Sequence, residues 1–143
     1  MGILSCCTFF GHRDCPETVR SRLRAVLTEL IEREGADRFY VGRQGAFDAM
    51  VRSVLRELAA SYPQITYAVV LERLPRPGEP AEPDTVFPEG LELVPPRFAV
   101  ARRNEWMLRQ ADLVVTYVTR SWGGAARYAE KARQQKKALW NLL

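Results

Sequence analysis

Short apolar runs alternate with stretches of helical periodicity along this chain, and that alternation constrains the fold more than anything else in the sequence. The runs are Cys6–Phe10, Arg38–Gly42, Ile65–Leu71, Asp112–Val118 and the terminal "KALWNLL". Each has the length of a strand, and several are apolar throughout rather than at every second residue, as expected where both faces of a sheet are covered. Between the first two runs, Val19, Leu23, Val26, Leu27, Leu30 and Ile31 repeat at helical spacing. Pro16 suits the first turn of that helix, Asp14 is a candidate cap and Gly35 a stop. Phe47, Met50, Val51, Val54, Leu55 and Leu58 line a second helix. Arg97–Ala111 reads as a third, with Trp106 and Met107 as core, and a fourth runs to about Gln135. Strand–helix alternation of this kind predicts an α/β fold: a Rossmann-like three-layer sandwich around a mainly parallel sheet of about five strands, one domain over residues 1–143.

One segment breaks the pattern. "RLPRPGEPAEPDTVFPEGLELVPP" holds seven of the nine prolines, which rules out a regular helix or a central strand. From Leu74 to Pro96 it is expected to form a functional loop or a flap.

In open parallel sheets, ligands sit beyond the carboxyl ends of the strands. The residues there are Gly11, His12 and Arg13; Gly42, Arg43, Gln44 and Gly45; Leu74 onward; and Thr119 to Gly124. "VGRQGAFD" and "TRSWGGAARYAE" each put glycines between a strand and a helix, where free N–H groups and the helix dipole favour an anion. At the first corner Arg43 offers a bidentate phosphate donor, and Asp48 complements the helix dipole. The plain alternative there is a turn that needs a positive φ at Gly42. At the second, Thr119 and Ser121 add hydroxyls while Gly123, Gly124 and Ala125 supply backbone N–H groups. Two such corners predict a ligand with more than one polar anchor, such as a nucleotide. Arg102 and Arg103 are adjacent on a helix, so only one of them can face a given site.

The net charge of +4 favours anionic ligands, but the arginines are dispersed and no basic stripe with interleaved aromatics is visible, so nucleic acid is not expected as a partner. Cys6, Cys7 and Cys15 make no disulfide framework, and a site from Cys7, His12 and Cys15 lacks the ligand number and spacing of a metal centre, so no metal and no resident cofactor are expected. Met1 to Cys7 runs straight into the first strand, with Cys6 where a myristoylation pattern requires Ser or Thr. Neither a signal peptide nor a membrane span is expected, and reduced thiols point to the cytoplasm.

The phrases "CTFFGHRDCP", "FYVGRQGAFDAMV", "FPEGLELVPPRFAVARRNEWML" and "ADLVVTYVTRSWGGAARYAEKA" resemble, in order, a small bacterial family of unknown function in the SLOG superfamily of Rossmann-like nucleotide-binding proteins. That superfamily also holds the lonely-guy phosphoribohydrolases and the Smf-type DNA-processing proteins. The hydrolase hallmark PGGxGTxxE is echoed by Gly123, Gly124 and Glu130, but Trp122 replaces its proline, Ala126 its third glycine and Arg127 its threonine. Arg103 matches the arginine of the family's Arg-Lys pair, and Asn104 stands where its lysine would be. The resemblance implies nucleotide or nucleotide-derivative binding, as a sensor, with Arg103 supplying charge. Its alternatives are N-glycosidic hydrolysis using Glu130 and Arg103, and a DNA-associated accessory role. Glu130 lies two turns beyond Gly123 and is expected to share its helix face. A homo-oligomer is a further expectation from the relatives.

Overall fold

The computed structural model describes residues 5–80 and 84–143. The first four residues, on which the targeting reading of the N-terminus largely rests, lie outside the described residues, as do residues 81–83 of the Pro-rich segment. Among the described residues six strands form one sheet: β1 (Ser5–Gly11), β2 (Ala36–Val41), β3 (Thr66–Val70), β4 (Thr85–Val86), β5 (Leu113–Tyr117) and β6 (Ala138–Asn141), in the order β4-β3-β2-β1-β5-β6. Every pairing is parallel. Helices α1 (Arg20–Arg33), α2 (Gly45–Ser61), α3 (Pro96–Gln110) and α4 (Gly124–Gln134) complete the alternation. The fold is α/β and Rossmann-like, with the sheet between two helical layers.

The sheet separates two apolar clusters. One is built on Phe9, Phe39, Val41 and Val115 and takes the buried sides of α1 and α2, with Leu23, Leu27, Phe47, Val51 and Leu55. The other joins Phe10, Val70 and Val114 to Met107 and Leu108 of α3 and to Tyr128 and Ala132 of α4. Alternate residues of β1, Phe9 and Phe10, therefore face opposite layers, as the two-residue strand period requires. Trp106 packs edge-on against Tyr40 beside the second cluster.

The sheet has one strand more than the sequence suggests. β4 lies inside the Pro-rich stretch, where its two residues pair with Val69 and Val70 at the sheet edge. Proline bars a segment from central strands but not from an edge, where one side of the ladder faces outward. The first helix also begins differently. Pro16 precedes a 3-10 turn over Glu17–Val19, and no side chain caps it. Asp14, expected as the cap, stands 3.5 Å from Arg120 across the sheet edge.

Candidate functional site

The chain reverses its progress across the sheet between β1 and β5, and parallel sheets open a crevice at that switch point. A cleft of about 330 Å³ lies there. Its floor is Phe9, Phe10 and Met107; its walls carry Gly11, His12 and Arg13 after β1, Gln44 and Asp48 at the start of α2, Arg103 and Asn104 of α3, and Arg120, Gly123, Gly124 and Ala125 after β5. These residues are remote in sequence and meet because parallel strands bring all their carboxyl ends to one edge.

The two glycine corners turn out to be unlike. At α4, Gly123 caps the helix with no side-chain bond, and the first recorded return bond runs from the Arg127 N–H to the Gly123 carbonyl. The preceding N–H groups of the first turn are left for water or a ligand. At α2 the protein has taken the same groups. Gln44 N–H donates to Asp48 Oδ2 at 2.9 Å and Ala46 N–H to the Arg13 carbonyl at 2.8 Å. The α2 corner is therefore no open anion cradle, because a carboxylate of the same chain occupies it. The positive φ also falls elsewhere than expected, at Gly45 (82°) rather than at Gly42. Gly42 is needed for close approach: a Cβ there would stand 2.8 Å from Asp48 Oδ2 and 2.9 Å from Arg103 Nη1.

Arg43, expected as a phosphate donor, makes its bidentate pair with Glu72 instead, at 3.0–3.1 Å. Burial pushes the Glu72 carboxyl up, but hydrogen bonds and charge from Arg43, with the charge of Arg103, outweigh it and hold the group below its ordinary value. Arg103 is buried, with its side chain 2% exposed. Nη1 donates to the Val70 carbonyl at 3.1 Å, Nη2 to Gln44 Oε1 at 2.7 Å and Nε to Asn104 Oδ1 at 3.0 Å, while Glu72 lies 3.8 Å away. So Arg103 borders the cleft with three of its five N–H donors bonded to the protein and Glu72 close by, a structural anchor where the sequence suggested a counter-charge held for the ligand. Arg102 faces outward beside Glu105.

His12 is buried at the cleft wall, and its Nε2 accepts the Thr119 N–H at 3.0 Å. That bond fixes the proton on Nδ1. Burial, then the nearby Arg120, lower its pKa from the ordinary value of 6.5, against an opposing pull from Asp14. The bond exists only with neutral imidazole, so its contribution is complete above the ordinary histidine pKa and is lost as pH falls through the lowered folded value. Acidifying from about pH 7.5 to about pH 5 is expected to lower the protection factor of the Thr119 amide, the slowing of its exchange relative to the unfolded chain at the same pH, selectively, and His12→Gln is expected to abolish that pH step. Protection measured by NMR that falls equally along the whole sheet edge would refute this.

Thr119 is exposed and does not line the cleft; what it contributes is the N–H that holds His12. Ser121 lies outside the cleft. So does Glu130, which shares a shallower outer groove with Ser121, Trp122, Arg127 and the two glycines. Glu130 shares that groove with Gly123 and Gly124, which also border the cleft, but its own side chain is exposed outside the cleft and pairs with Arg133 at 3.4 Å. Buried Tyr128, Ala129 and Ala132 hold the inner face. Catalysis at the cleft by Glu130 is therefore not supported.

Gln44, Arg120 and Trp122 lie within the strand-end stretches but have no role assigned there from sequence, and Asp48 reads from sequence only as complementing the helix dipole. Asp48 carried a signal: a carboxylate set among Phe47, Met50 and Val51 on a buried helix face. Burial pushes its pKa up, against Gln44 N–H and the charges of Arg103, Arg52 and Arg13. The Arg120 guanidinium lies over the Trp122 ring, 4.4 Å from its centre, and the indole is 67% exposed. Arg120 Nε is buried with no hydrogen-bond partner among the described residues. Arg97 and Phe98 make a second exposed pair at 4.8 Å on α3.

No family model matches the sequence. No curated protein matches it either. Among solved structures, DNA processing protein A from Helicobacter pylori, which has a single-stranded DNA binding mode, superposes with a TM-score of 0.62 at 14% identity over 96% of this chain. The chain spans 64% of the length of that protein. The likeness establishes the fold. It also overturns the expectation against nucleic acid: a protein with this fold binds single-stranded DNA, and the missing basic–aromatic pattern exists in space as Arg120 over Trp122 and Arg97 over Phe98. No helix among the described residues is long and apolar enough to cross a membrane.

Proposed function

We propose that the chain is a DNA-associated accessory protein whose switch-point cleft binds the phosphates of a single strand. The observation that carries this reading is the α4 corner. An uncapped helix start, Arg13 and Arg120 stand together beside an exposed tryptophan stacked under a guanidinium. Single-strand binders combine those two elements, cations that follow the backbone and aromatic faces that accept any base. The shared fold with a single-stranded DNA binder supports the reading. So does the net charge of +4. Membership of the SLOG superfamily, as one Rossmann-like domain, belongs to the same proposal.

A free nucleotide or nucleotide derivative is the second reading, favoured by the apolar side chains of Phe9, Phe10 and Met107 in the lining and by a volume near the lower end of small-molecule pockets. Cleavage of an N-glycosidic bond is not proposed, because Glu130 faces away.

Fluorescence anisotropy with a labelled single strand of about 16 nucleotides separates these readings. Binding is expected to weaken with salt, log K falling with log salt at a slope of about −1.5 to −2, as for two or three phosphates on a single strand. Salt-independent binding, or none while a mononucleotide binds, would overturn the DNA reading.

A further inference from the structure

Guanidinium has five N–H donors and no acceptor, so each group facing Arg103 must turn an oxygen toward it. Two of those groups are carboxamides. Nη2 holds Gln44 Oε1 at 2.7 Å, and Nε holds Asn104 Oδ1 at 3.0 Å. The backbone N–H of Arg43 reinforces the first at 3.4 Å. Both amide orientations follow from chemistry. With the oxygens held, the two NH2 groups are left on residues that line the cleft, and neither has a protein acceptor among the described residues. Neither is a sealed, unsatisfied atom. The third member of this wall is His12. Its Nε2 is occupied by Thr119 N–H, so its other nitrogen carries the proton.

We propose that Arg103 is a positioning residue that locks Gln44 and Asn104 oxygen-inward, so that their NH2 groups and the Nδ1–H of His12 form a donor wall reading a terminal phosphomonoester rather than an internal phosphodiester. This rests on the phosphate reading of the cleft and narrows it to a chemical class. A monoester presents three terminal oxygens and more charge; a diester in a running strand presents two. The wall needs an acceptor-rich group, and of the two esters the terminal one offers more acceptors to the donors that line the cleft. An end can enter, with its phosphate at the donors and the next nucleotide leaving past Trp122. Asp48 does not cancel the wall, because one of its oxygens already takes Gln44 N–H and three arginines surround it.

The same chemistry is offered by a phosphorylated strand end and by a free mononucleotide. The test therefore compares one internally labelled single strand bearing a 5′-phosphate, a 3′-phosphate or hydroxyls at both ends, alongside a nucleoside 5′-monophosphate and its nucleoside. A phosphorylated end is expected to bind about 10-fold tighter than hydroxyl ends, the scale of hydrogen bonds to a charged group. Asn104→Asp and Gln44→Glu are near-isosteric and replace a donor with a negative acceptor. Each is expected to bring the preference close to one while hydroxyl-ended binding persists. Arg103→Lys keeps the charge but lacks the fork that holds both amides, and is expected to do the same. The ratio is the informative quantity, since mere loosening of the fold would weaken all strands together. Should Arg103→Lys fail to fold by circular dichroism, the two amide variants decide.

Equal binding of all three strands by the wild type overturns the donor wall and leaves the DNA reading standing. A preference that survives the amide substitutions also overturns it. If no strand binds but the monophosphate does, in an Asn104-dependent way, the wall stands and the DNA reading falls. If neither binds, both fall.

Discussion

Arg103→Met is expected to lower the free energy of unfolding by about 3–5 kcal/mol, the range for removing one partner from a buried charged pair. Methionine can fill the volume, so the loss is electrostatic rather than a cavity. It leaves the Val70 carbonyl without the guanidinium donor, Gln44 Oε1 with only the long bond from Arg43 N–H, and Glu72 with Arg43 alone. Asp48, buried beneath, loses one of the charges that oppose its desolvation. Urea denaturation measures the effect directly, and a change under about 1 kcal/mol would show that the network contributes little. Since a domain of this size has only about 5–15 kcal/mol in total, such a loss would be visible as lower soluble yield. Asn104→Ala, which removes one acceptor from a half-buried position, should cost much less.

That network explains which parts of the molecule could be read in advance. The sheet was legible because continuous apolar strands and helical apolar repeats are local patterns, and each element follows from a few neighbouring residues. β4 was not, since Thr85 and Val86 carry no pattern of their own and sit among prolines; only the edge of β3 makes them a strand. Gly11, His12, Arg13 and the Gly123–Ala125 turn come together along one cleft because a parallel sheet fixes where they emerge, and strand ends can be read from local pattern. The partners of the polar side chains could not be read that way. Arg43 finds Glu72 twenty-nine residues away, and Asp48 turns back on Gln44 to close what looked like an anion corner. For Glu130, helical phase gave the right face, but whether that face looks into the cleft or away depends on how α4 packs on the sheet. The basic–aromatic pattern was invisible for a related reason: Arg120 and Trp122 are two residues apart, so no stripe exists until the turn after β5 stacks one on the other.

Removing that pair should have the largest effect on binding. Trp122→Ala is expected to weaken a single strand about 10-fold, from the roughly 1–3 kcal/mol that base–aromatic stacking contributes. Arg120→Ala together with Trp122→Ala should reach about 100-fold; the two side chains touch, so their losses will not simply add. Trp122→Phe should recover most of the stacking term, whereas a purely electrostatic interface would be indifferent to both aromatic changes. The fold has little stake in either side chain. The indole is 67% exposed, and Arg120's ion-pair partner is surface-exposed Asp14 at 3.5 Å, a contact worth little. Thermal melting should therefore stay near wild type while anisotropy titrations shift. The salt slope should fall by about 0.7 with Arg120 gone, the increment for one phosphate on a single strand, and should stay unchanged in Trp122→Ala, because stacking releases no counterion. If the double variant binds as the wild type does, the strand does not cross the α4 corner, and an uncapped helix start beside an exposed indole is then only a turn.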